Sequence, residues 1–390
     1  MRELKNRGVK VHCIDANPAQ PAFRSIYGFT HLCPNPDQDP DGWVRFMLRL
    51  ADQIGGEKIV LISSSDMFIS ALGAHAQALS ERFLFCRESI AMQALLATKK
   101  RQYDIAADHG LPTPLTRFVC SEVEVEAFSR SAAFPVLLKP LHFREWRSLE
   151  PSHPLFERKI VTCANPAQLL EIYRIAAAIN PEAVLQEIIA GPDDAKLCYL
   201  SCYSQNGQRL GWAVVRQIRT DPIYFGSASL VEPIHDPETA DVCDRFLRSI
   251  GYAGICEIEL KRDSRDGIVK LIEANPRYSL TSDAAYYMGV ELGWLHYLDL
   301  IGQHVQPVSP NSAHFRHIAL FRDLACIPSY FSEGLLTWRA LRDSYRKPCY
   351  FFDFDPADRA LSFFYLFKLF RIFCISLLRY FFPKRTLDRL

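Results

Sequence analysis

Two segments near residue 265 carry acidic and amide side chains at alternating positions. In GICEIELKR, Glu257 and Glu259 lie two residues apart. LIEANPR repeats this spacing with Glu273 and Asn275. Residues two apart share one face of a strand. A hairpin register centred near Asp266 would set Glu259 opposite Glu273 and Glu257 opposite Asn275.

This register predicts a metal site. Acidic side chains that face one another across strands repel each other unless a cation lies between them. Carboxylates with an amide oxygen are hard ligands, suited to a Mg²⁺ ion that keeps waters and bridges phosphates. Arg277, two residues after Asn275, could then hold a phosphate oxygen. A solvated face of an edge hairpin is the alternative, but it does not explain why the other strand positions are Ile, Leu and Cys.

Other candidate residues are weaker when each is taken alone. Lys139 ends the apolar run FPVLL, and Lys99 lies in a helical pattern. Either could be an ordinary lysine with its ammonium group in water. In VLQEIIAGPDD, Gln186 and Glu187 lie on a strand that turns at 191–192, where free backbone groups could receive a flat ring such as adenine. A simple edge strand and turn is the alternative.

Composition limits the class of protein. The chain has 390 residues, 49% of them hydrophobic and 23% charged, which suits two or three packed lobes and excludes a largely disordered chain. A net charge of +1 disfavours a dedicated nucleic-acid binder. The 12 cysteines include no CxxC pair, which indicates reduced thiols, and with no leader-like segment the expected compartment is the cytoplasm. His314 and His317 (HFRH) are not expected to bind a metal.

The order of the elements predicts an α/β protein. VKVHCID and KIVLISSSD are strand-like and flank a helical segment, so parallel pairing in a doubly wound sheet is expected. The chain begins in a helix-like segment, RELKNRG, where such a sheet normally has an earlier strand. A shortened first lobe is the favoured interpretation, and a start upstream of residue 1 is the alternative. Two hairpins follow, at the Asn-Gly pair 206–207 and at 266–267.

The C-terminal region changes character after about residue 305 and becomes rich in Phe, Tyr, Trp and Arg. Residues 360–382 read ALSFFYLFKLFRIFCISLLRYFF, with Lys368, Arg371 and Arg379 within one arc of a helix. Such a basic amphipathic helix, followed by Pro383, Lys384 and Arg385, suits a membrane interface better than a membrane span. A helix docked on the protein's own core is an equally good interpretation.

Taken in order, these segments resemble the ATP-grasp superfamily. The matching segments are Lys99 ahead of HGLPTP, then FPVLLKP, LQEIIAGPDD, and CEIEL followed by LIEANPR. The resemblance covers about residues 1–305. Within the superfamily the chain is most similar to the bacterial carboxylate–amine ligase group, which is akin to D-aspartate ligase and the carbamoyl-phosphate synthase large chain. GPDD, RQIR and FGSASLVE are similar to that group.

The resemblance implies a fold and its divisions. The expected fold is α/β (α+β), with an ATP-grasp domain preceded by a truncated Rossmann-like lobe and followed by a helical C-terminal extension. The expected boundaries are 1–86 for the first lobe, 87–305 for the ATP-grasp domain and 306–390 for the extension. Within the ATP-grasp domain, a lid lobe is expected at about 115–190 and a metal-binding lobe at about 191–305.

The resemblance also implies a role for individual residues. Those expected to contact ATP are Lys99, Lys139, Gln186, Glu187, Ile189, and Asp193 or Asp194 near the ribose. The expected ligands of Mg²⁺ (or Mn²⁺) are Glu259, Glu273 and Asn275. Lys139 and Arg277 would meet the charge of the transition state, with Arg216 and Arg219 as weaker candidates for the phosphates or the acid substrate. The lid between the lid-lobe strands lacks glycine, so phosphate contact there would fall to Arg158 or Lys159.

The implied activity is ligation through an acyl phosphate. ATP would phosphorylate a small carboxylate, and an amine (or a thiol) would then displace the phosphate. Two alternatives are an ATP-binding protein at the membrane surface without turnover, and an enzyme that transfers the phosphoryl group to another acceptor. No part of the sequence specifies the acid, the amine or an oligomeric state.

Overall fold

The computed structural model describes residues 1–370 apart from residues 6, 57–58, 142, 157, 159 and 368–369, and it describes 99–100 and 143–144 by their backbone alone. Lys159 and the part of the predicted amphipathic helix after residue 370 therefore lie outside the described residues. The cysteines of the described part of the chain are free thiols, as predicted. Most of them are buried.

The first lobe contains two short parallel sheets. Its elements are β1 (His12–Asp15), β2 (Phe29–Leu32), α1 (Pro40–Ile54), β3 (Ile59–Val60), α2 (Asp66–Ala74), α3 (Ala76–Leu79) and β4 (Phe83–Leu84). β1 pairs with β2 and β3 pairs with β4, both in parallel. Parallel pairing was predicted, but β1 and β3 belong to separate two-stranded sheets and not to one continuous sheet.

The sequence of α1 explains why a helix forms between these sheets. Asp39 caps its first turn by accepting a hydrogen bond from the Gly42 amide at 2.8 Å. Pro40 occupies the first helical position, and Gly55 ends the helix with a positive φ of 75°. Trp43 and Met47 lie one turn apart on the buried face, where they pack against α2 and β4 residues.

The lid lobe is a four-stranded antiparallel sheet in the order β5-β8-β6-β7. After α4 (Ile90–Leu96) and α5 (Lys99–Asp108) come β5 (Thr116–Val119), α6 (Glu122–Ser131), β6 (Val136–Pro140), α7 (Phe143–Arg147), β7 (Val161–Cys163), α8 (Pro166–Ala177) and β8 (Ala183–Glu187). Its core includes Val136 and Leu138 of β6 beside Leu185 of β8. The strand predicted over FPVLLKP is therefore present from Val136, with Val136–Leu138 buried, and Lys139 comes next to last in it.

A seven-stranded sheet forms the largest layer, in the order β13-β12-β9-β10-β11-β14-β15. Its elements and the helices around it are β9 (Lys196–Tyr203), β10 (Arg209–Asp221), β11 (Ser227–Ile234), α9 (Pro237–Ser249), β12 (Gly254–Arg262), β13 (Val269–Asn275), α10 (Asp283–Tyr287) and α11 (Leu292–Leu300). One face packs against α5 and α9, and the opposite face packs against α10 and α11. The predicted hairpins β9–β10 and β12–β13 are both present.

The C-terminal extension is joined to this sheet. It consists of β14 (Arg316–Ile318), α12 (Leu320–Ser332), α13 (Trp338–Ser344), β15 (Cys349–Phe351) and a helical segment at 359–367. β14 pairs antiparallel with β11, and β15 pairs parallel with β14. The extension was predicted to be helical, but it also contributes two strands to the large sheet. No helix in the described part of the chain has the length and apolar character that crossing a membrane requires.

Arg219 of β10 connects the large sheet to the C-terminal extension through buried hydrogen bonds. Its guanidinium donates to both carboxylate oxygens of Asp323 on α12, at 2.9 and 2.7 Å, and to the Ser344 hydroxyl at 2.8 Å. Its side chain is 2% exposed and that of Asp323 is fully buried. The sequence prediction that Arg219 contacts phosphates or substrate is therefore corrected. The N–H groups of Arg219 instead donate to the buried carboxylate of Asp323, which lies about a hundred residues later in the chain.

The buried pair predicts a large effect on stability. Asp323→Asn leaves a buried guanidinium without its counter-ion, and removing one partner of such a pair costs about 3–5 kcal/mol. We expect chemical denaturation of the variant to show that loss in the free energy of unfolding. Glu122→Gln is the matched control, because Glu122 makes the same two-bond contact to Arg174 at an exposed position and should change stability little. Equal stability of Asp323→Asn and wild type would contradict the structural role of Arg219.

Candidate active site

The β12–β13 hairpin has the register that the sequence predicts. Glu259 lies opposite Glu273, and Glu257 lies opposite Asn275. The register then shifts, since Leu260 pairs with Leu271, and this leaves Ile272 as the extra residue of a bulge. The four polar residues thus share one face of two adjacent strands. It is the sheet face that packs against α10 and α11 farther along.

Hydrogen bonds connect the side chains of this acidic face. The Asn275 amide nitrogen donates to Glu257 Oε2 at 3.1 Å and to Glu259 Oε1 at 3.3 Å. From β10, the Gln217 amide nitrogen lies 3.5 Å from Glu259 Oε2. Two buried oxygens, Glu257 Oε1 and Gln217 Oε1, have no hydrogen-bond partner among the described residues. Buried oxygens without partners are costly, and a cation would satisfy them.

The charge of the acidic face is not balanced within the hairpin. Burial raises the pKa of Glu259 to about 8, and the nearby charges of Glu257 and Glu273 raise it further. Burial also raises the pKa of Glu257. Both carboxyls therefore hold their protons more tightly than an ordinary glutamate does, because their negative charge is poorly compensated. A divalent cation would supply the missing positive charge.

These residues fit a hard cation such as Mg²⁺. In the described part of the chain, no three His, Cys, Asp or Glu side chains are gathered into a geometry that could hold a metal by themselves. Mg²⁺ is commonly bound by one or two carboxylates together with waters and substrate phosphates, and Glu259 and Glu273 can provide those carboxylates. The Asn275 amide oxygen, which now accepts from Arg277 at 2.9 Å, would become a ligand if the amide turned about its χ2 bond.

Arg277 connects the hairpin to the first lobe. Its Nε donates to Asp66 Oδ1 at 2.7 Å, and its Nη2 donates to Asp66 Oδ2 at 3.0 Å. Asp66 is the first residue of α2 and follows the SSS run after β3. The sequence predicts a phosphate contact for Arg277 and does not single out Asp66. The signal was a carboxylate at the end of KIVLISSSD, where an α/β sheet commonly presents its ligand-binding loops.

The lid lobe contributes Lys139 and Gln186. The Lys139 ammonium donates to Gln186 Oε1 at 2.7 Å, and the Gln186 amide nitrogen donates to the Thr116 hydroxyl at 2.9 Å. Gln186 is buried, and its side chain also neighbours Tyr103 of α5. The Tyr103 hydroxyl in turn donates to the Ile272 carbonyl at the bulge of the β12–β13 hairpin. Tyr103, which the sequence does not single out, therefore links the lid lobe to the β12–β13 hairpin.

The segment after β8 lies against the turn of the β12–β13 hairpin. The Ala190 carbonyl accepts from the Ser264 amide at 3.1 Å, and the Ile188 carbonyl accepts from Arg265 at 3.4 Å. Ile189 is buried, and the Glu187 carboxylate accepts from the Ala133 amide at 2.6 Å. The segment 187–191 thus connects the lid lobe to the turn of the β12–β13 hairpin.

Asp193 is engaged in a network of its own. It forms an ion pair with Lys196 at 2.9 Å and accepts from the Tyr330 hydroxyl of α12 at 2.8 Å and from the Tyr224 amide at 3.1 Å. Burial alone would raise the pKa of Asp193, but these partners outweigh it and lower the pKa. Asp194 is exposed, so it is the more accessible of the two carboxylates assigned to the ribose.

Arg216 lies on the other side of the sheet. It is directly opposite Leu197 and Glu232, on the face that packs against α5 and α9. Its guanidinium pairs with Glu232, which also contacts Lys347 at 3.1 Å. The prediction that Arg216 contacts the nucleotide is therefore corrected. Adjacent residues of β10 point to opposite faces of the sheet, and it is Gln217, not Arg216, that lies on the acidic face.

The remaining predicted residues are placed only in part. Lys99 is the first residue of α5, and its side chain lies outside the described residues, as does all of Lys159. Arg158 is exposed. His317 is buried and lies 3.1 Å from Asp283, whereas His314 is exposed.

Comparison with known proteins identifies distant relatives. No family model matches the chain. D-aspartate ligase of Enterococcus faecium is 27% identical over 276 residues, which are 67% of this chain and 63% of that protein. The carbamoyl phosphate synthase large chain of Methanosphaerula palustris is 24% identical over 58% of this chain and 22% of its own length. The chain thus spans less than two thirds of the curated relatives it matches.

Solved structures match over most of the chain. N5-carboxyaminoimidazole ribonucleotide synthetase of Thermus thermophilus covers 80% of this chain and 77% of its own, with a TM-score of 0.59 and 14% identity. The Staphylococcus aureus N5-carboxyaminoimidazole synthetase covers 85% and 82%, with a TM-score of 0.60 and 13% identity. L-amino acid ligase of Bacillus licheniformis covers 78% and 71%, with a TM-score of 0.55 and 14% identity. The chain therefore has an ATP-grasp fold, and its resemblance to the D-aspartate ligase and carbamoyl-phosphate synthase group is confirmed.

Proposed function

We propose that the protein is an ATP- and Mg²⁺-dependent ligase that joins a small carboxylate to an amine through an acyl phosphate. The observation that carries this proposal is the acidic face of the β12–β13 hairpin, where Glu259 and Glu273 lie opposite each other beside Asn275. The relatives support the class of reaction, because D-aspartate ligase and L-amino acid ligase are named as ligases. D-aspartate is therefore the first acid to test.

The nucleotide would lie between the lid lobe and the large sheet. The segment after Gln186 would receive adenine through the backbone of Glu187 and Ile189, and Asp194 or Asp193 would lie near the ribose. Lys139, already directed across the lid lobe at Gln186, would meet the phosphates, with Lys99 from α5 as its partner. Glu259, Glu273 and Asn275 would hold Mg²⁺, which neutralises phosphate charge when it is bound.

The reaction requires little covalent chemistry from the protein. An oxygen of the acid's carboxylate attacks the γ-phosphorus of ATP, and ADP leaves. The amine nitrogen then attacks the acyl carbon, loses a proton and expels inorganic phosphate. The protein's residues position these groups and balance their charge. Arg277, fixed between Asp66 and Asn275, would stabilise the negative charge that develops on the transferred group.

The alternatives differ in their products. Transfer to a thiol would give a thioester, and transfer to another acceptor would give a phosphorylated product and no amide. A membrane-surface protein without turnover would bind ATP and release no phosphate. The negative charge of the acidic face is poorly compensated, and bringing like charges together away from water destabilises a fold. A bound cation would remove that cost, so this arrangement favours a functional metal site. We propose that the protein works in the cytoplasm, where its free thiols stay reduced.

Phosphate release separates these possibilities. Purified protein is incubated with ATP, Mg²⁺, D-aspartate and a panel of amines, and inorganic phosphate is measured with each component omitted in turn. The proposal predicts release that needs both an acid and an amine, with an amide detected by mass spectrometry. The same assay is then repeated with other acids. Release that needs no amine, or a phosphorylated acceptor as the end product, would contradict ligation.

The metal site predicts a specific loss of nucleotide binding. Glu273→Gln removes one charged ligand while it keeps the size of the side chain, so we expect Mg²⁺-dependent ATP binding to weaken by about 100-fold. Isothermal titration with and without Mg²⁺ measures this change. Glu238→Gln is the control, because Glu238 is an exposed glutamate on α9, across the sheet from the acidic face, and should leave binding unchanged. Normal Mg²⁺-dependent binding by Glu273→Gln would contradict the assignment.

The contact between Asp66 and Arg277 predicts a positioning effect. Asp66→Asn removes the charge that holds Arg277, and we expect turnover to fall roughly 10- to 100-fold while KM for ATP changes little. Steady-state phosphate release measures both quantities. Asp52→Asn serves as the control, because Asp52 forms an exposed ion pair with Arg82 on the first lobe. Full turnover by Asp66→Asn would show that Arg277 needs no partner from the first lobe.

A further inference from the structure

The helix at 359–367 carries an exposed apolar stripe. Phe363 is 71% exposed, and Leu366, Phe367 and Phe370 are 60%, 60% and 64% exposed. Their spacing of i, i+3, i+4 and i+7 places them on one arc of about 100°. Four large apolar side chains in one stripe differ from the single exposed hydrophobic residues that every protein surface carries.

The opposite side of this helix is anchored to the protein. The Asp358 carboxylate caps the first turn by accepting from the Leu361 amide at 3.1 Å, and it also accepts from the Ser25 hydroxyl. The Ser362 hydroxyl donates to the Asp355 carbonyl at 2.6 Å, and the Tyr365 ring packs on Phe321 of α12. Packing on the protein's own core thus accounts for one side of the helix and leaves the stripe outside.

The sequence around and after the stripe indicates what covers it. From residue 368 onward it holds six basic residues and one acidic residue: Lys368, Arg371, Arg379, Lys384, Arg385, Arg389 and Asp388. The whole chain has a net charge of only +1, so this excess is local. Phenylalanine and leucine side chains next to such a basic segment suit the interface of an anionic membrane, where negatively charged headgroups cover an apolar interior. A second copy of this chain would cover the stripe but would bring the same positive charge with it.

We propose that the stripe of Phe363, Leu366, Phe367 and Phe370 inserts into the headgroup boundary of an anionic membrane. The helix lies in the plane of the membrane, its anchored side keeps the protein body next to the lipid, and the basic residues that follow attract the anionic headgroups. This inference does not depend on the proposed ligase activity. A protein that fails to turn over ATP would still bind the membrane.

Vesicle binding tests the stripe directly. The full-length protein is mixed with vesicles of phosphatidylglycerol and phosphatidylcholine, or of phosphatidylcholine alone, and the bound fraction is measured by sedimentation. We expect binding to the anionic vesicles at low salt, and release as the salt concentration rises. The double variant Phe363→Gln/Phe367→Gln should bind at least about tenfold more weakly, because two apolar side chains no longer enter the lipid.

Two controls keep the outcome specific. Val123→Gln changes a side chain that is 73% exposed on α6 and should bind vesicles like wild type. The molar mass in solution is measured for wild type and for the stripe variant without vesicles. The proposal is overturned if wild type does not bind anionic vesicles, if the stripe variant binds as well as wild type, or if a wild-type dimer becomes a monomer in the variant.

Discussion

Repulsion among the carboxylates of the β12–β13 hairpin, of which Glu257 is buried and Glu259 and Glu273 are half-buried, is the constraint on which the candidate site depends. Each charge taken from water costs several kcal/mol unless it is paired, and here Glu257, Glu259 and Glu273 share one face without a basic partner from their own strands. The described neighbours offer amide groups from Asn275 and Gln217. Under the proposed function, a bound cation would balance the charge of these carboxylates.

The lobes converge on this hairpin by separate contacts. Asp66 of the first lobe holds Arg277, which bonds the Asn275 amide oxygen. Tyr103 of α5 reaches the bulge at Ile272, and its neighbour Gln186 holds Lys139 of the lid lobe. The C-terminal extension approaches from β11, with Arg219 and Asp323 as its buried connection. Each part of the chain thus has a physical link to the acidic face or to the strands beside it.

The parts that the sequence predicts are those set by local rules. A hairpin centred near Asp266 and the alternation of its strands predict the pairs Glu259–Glu273 and Glu257–Asn275. The extra residue Ile272, which the sequence does not mark, is what brings these pairs into register with the turn. The apolar run before Lys139 likewise predicts a buried strand.

The contacts of Arg216 and Arg219 could not be predicted in this way. Their roles were assigned from the resemblance alone, and no local rule identifies their partners. Glu232 and Asp323 are 16 and 104 residues away, and the β10 register is irregular beside Arg219. Asp66 also escaped prediction, because its partner lies 211 residues later.

The most direct test of the central claim is to locate a bound metal. Crystals of the protein grown with Mn²⁺ and a non-hydrolysable ATP analogue would show the metal by its anomalous scattering. We predict Mn²⁺ coordinated by oxygens of Glu259, Glu273 and Asn275 and by phosphate oxygens, with the Asn275 amide turned so that its oxygen faces the metal. Nucleotide bound elsewhere, or bound between the lobes with no metal at these three residues, would contradict the account.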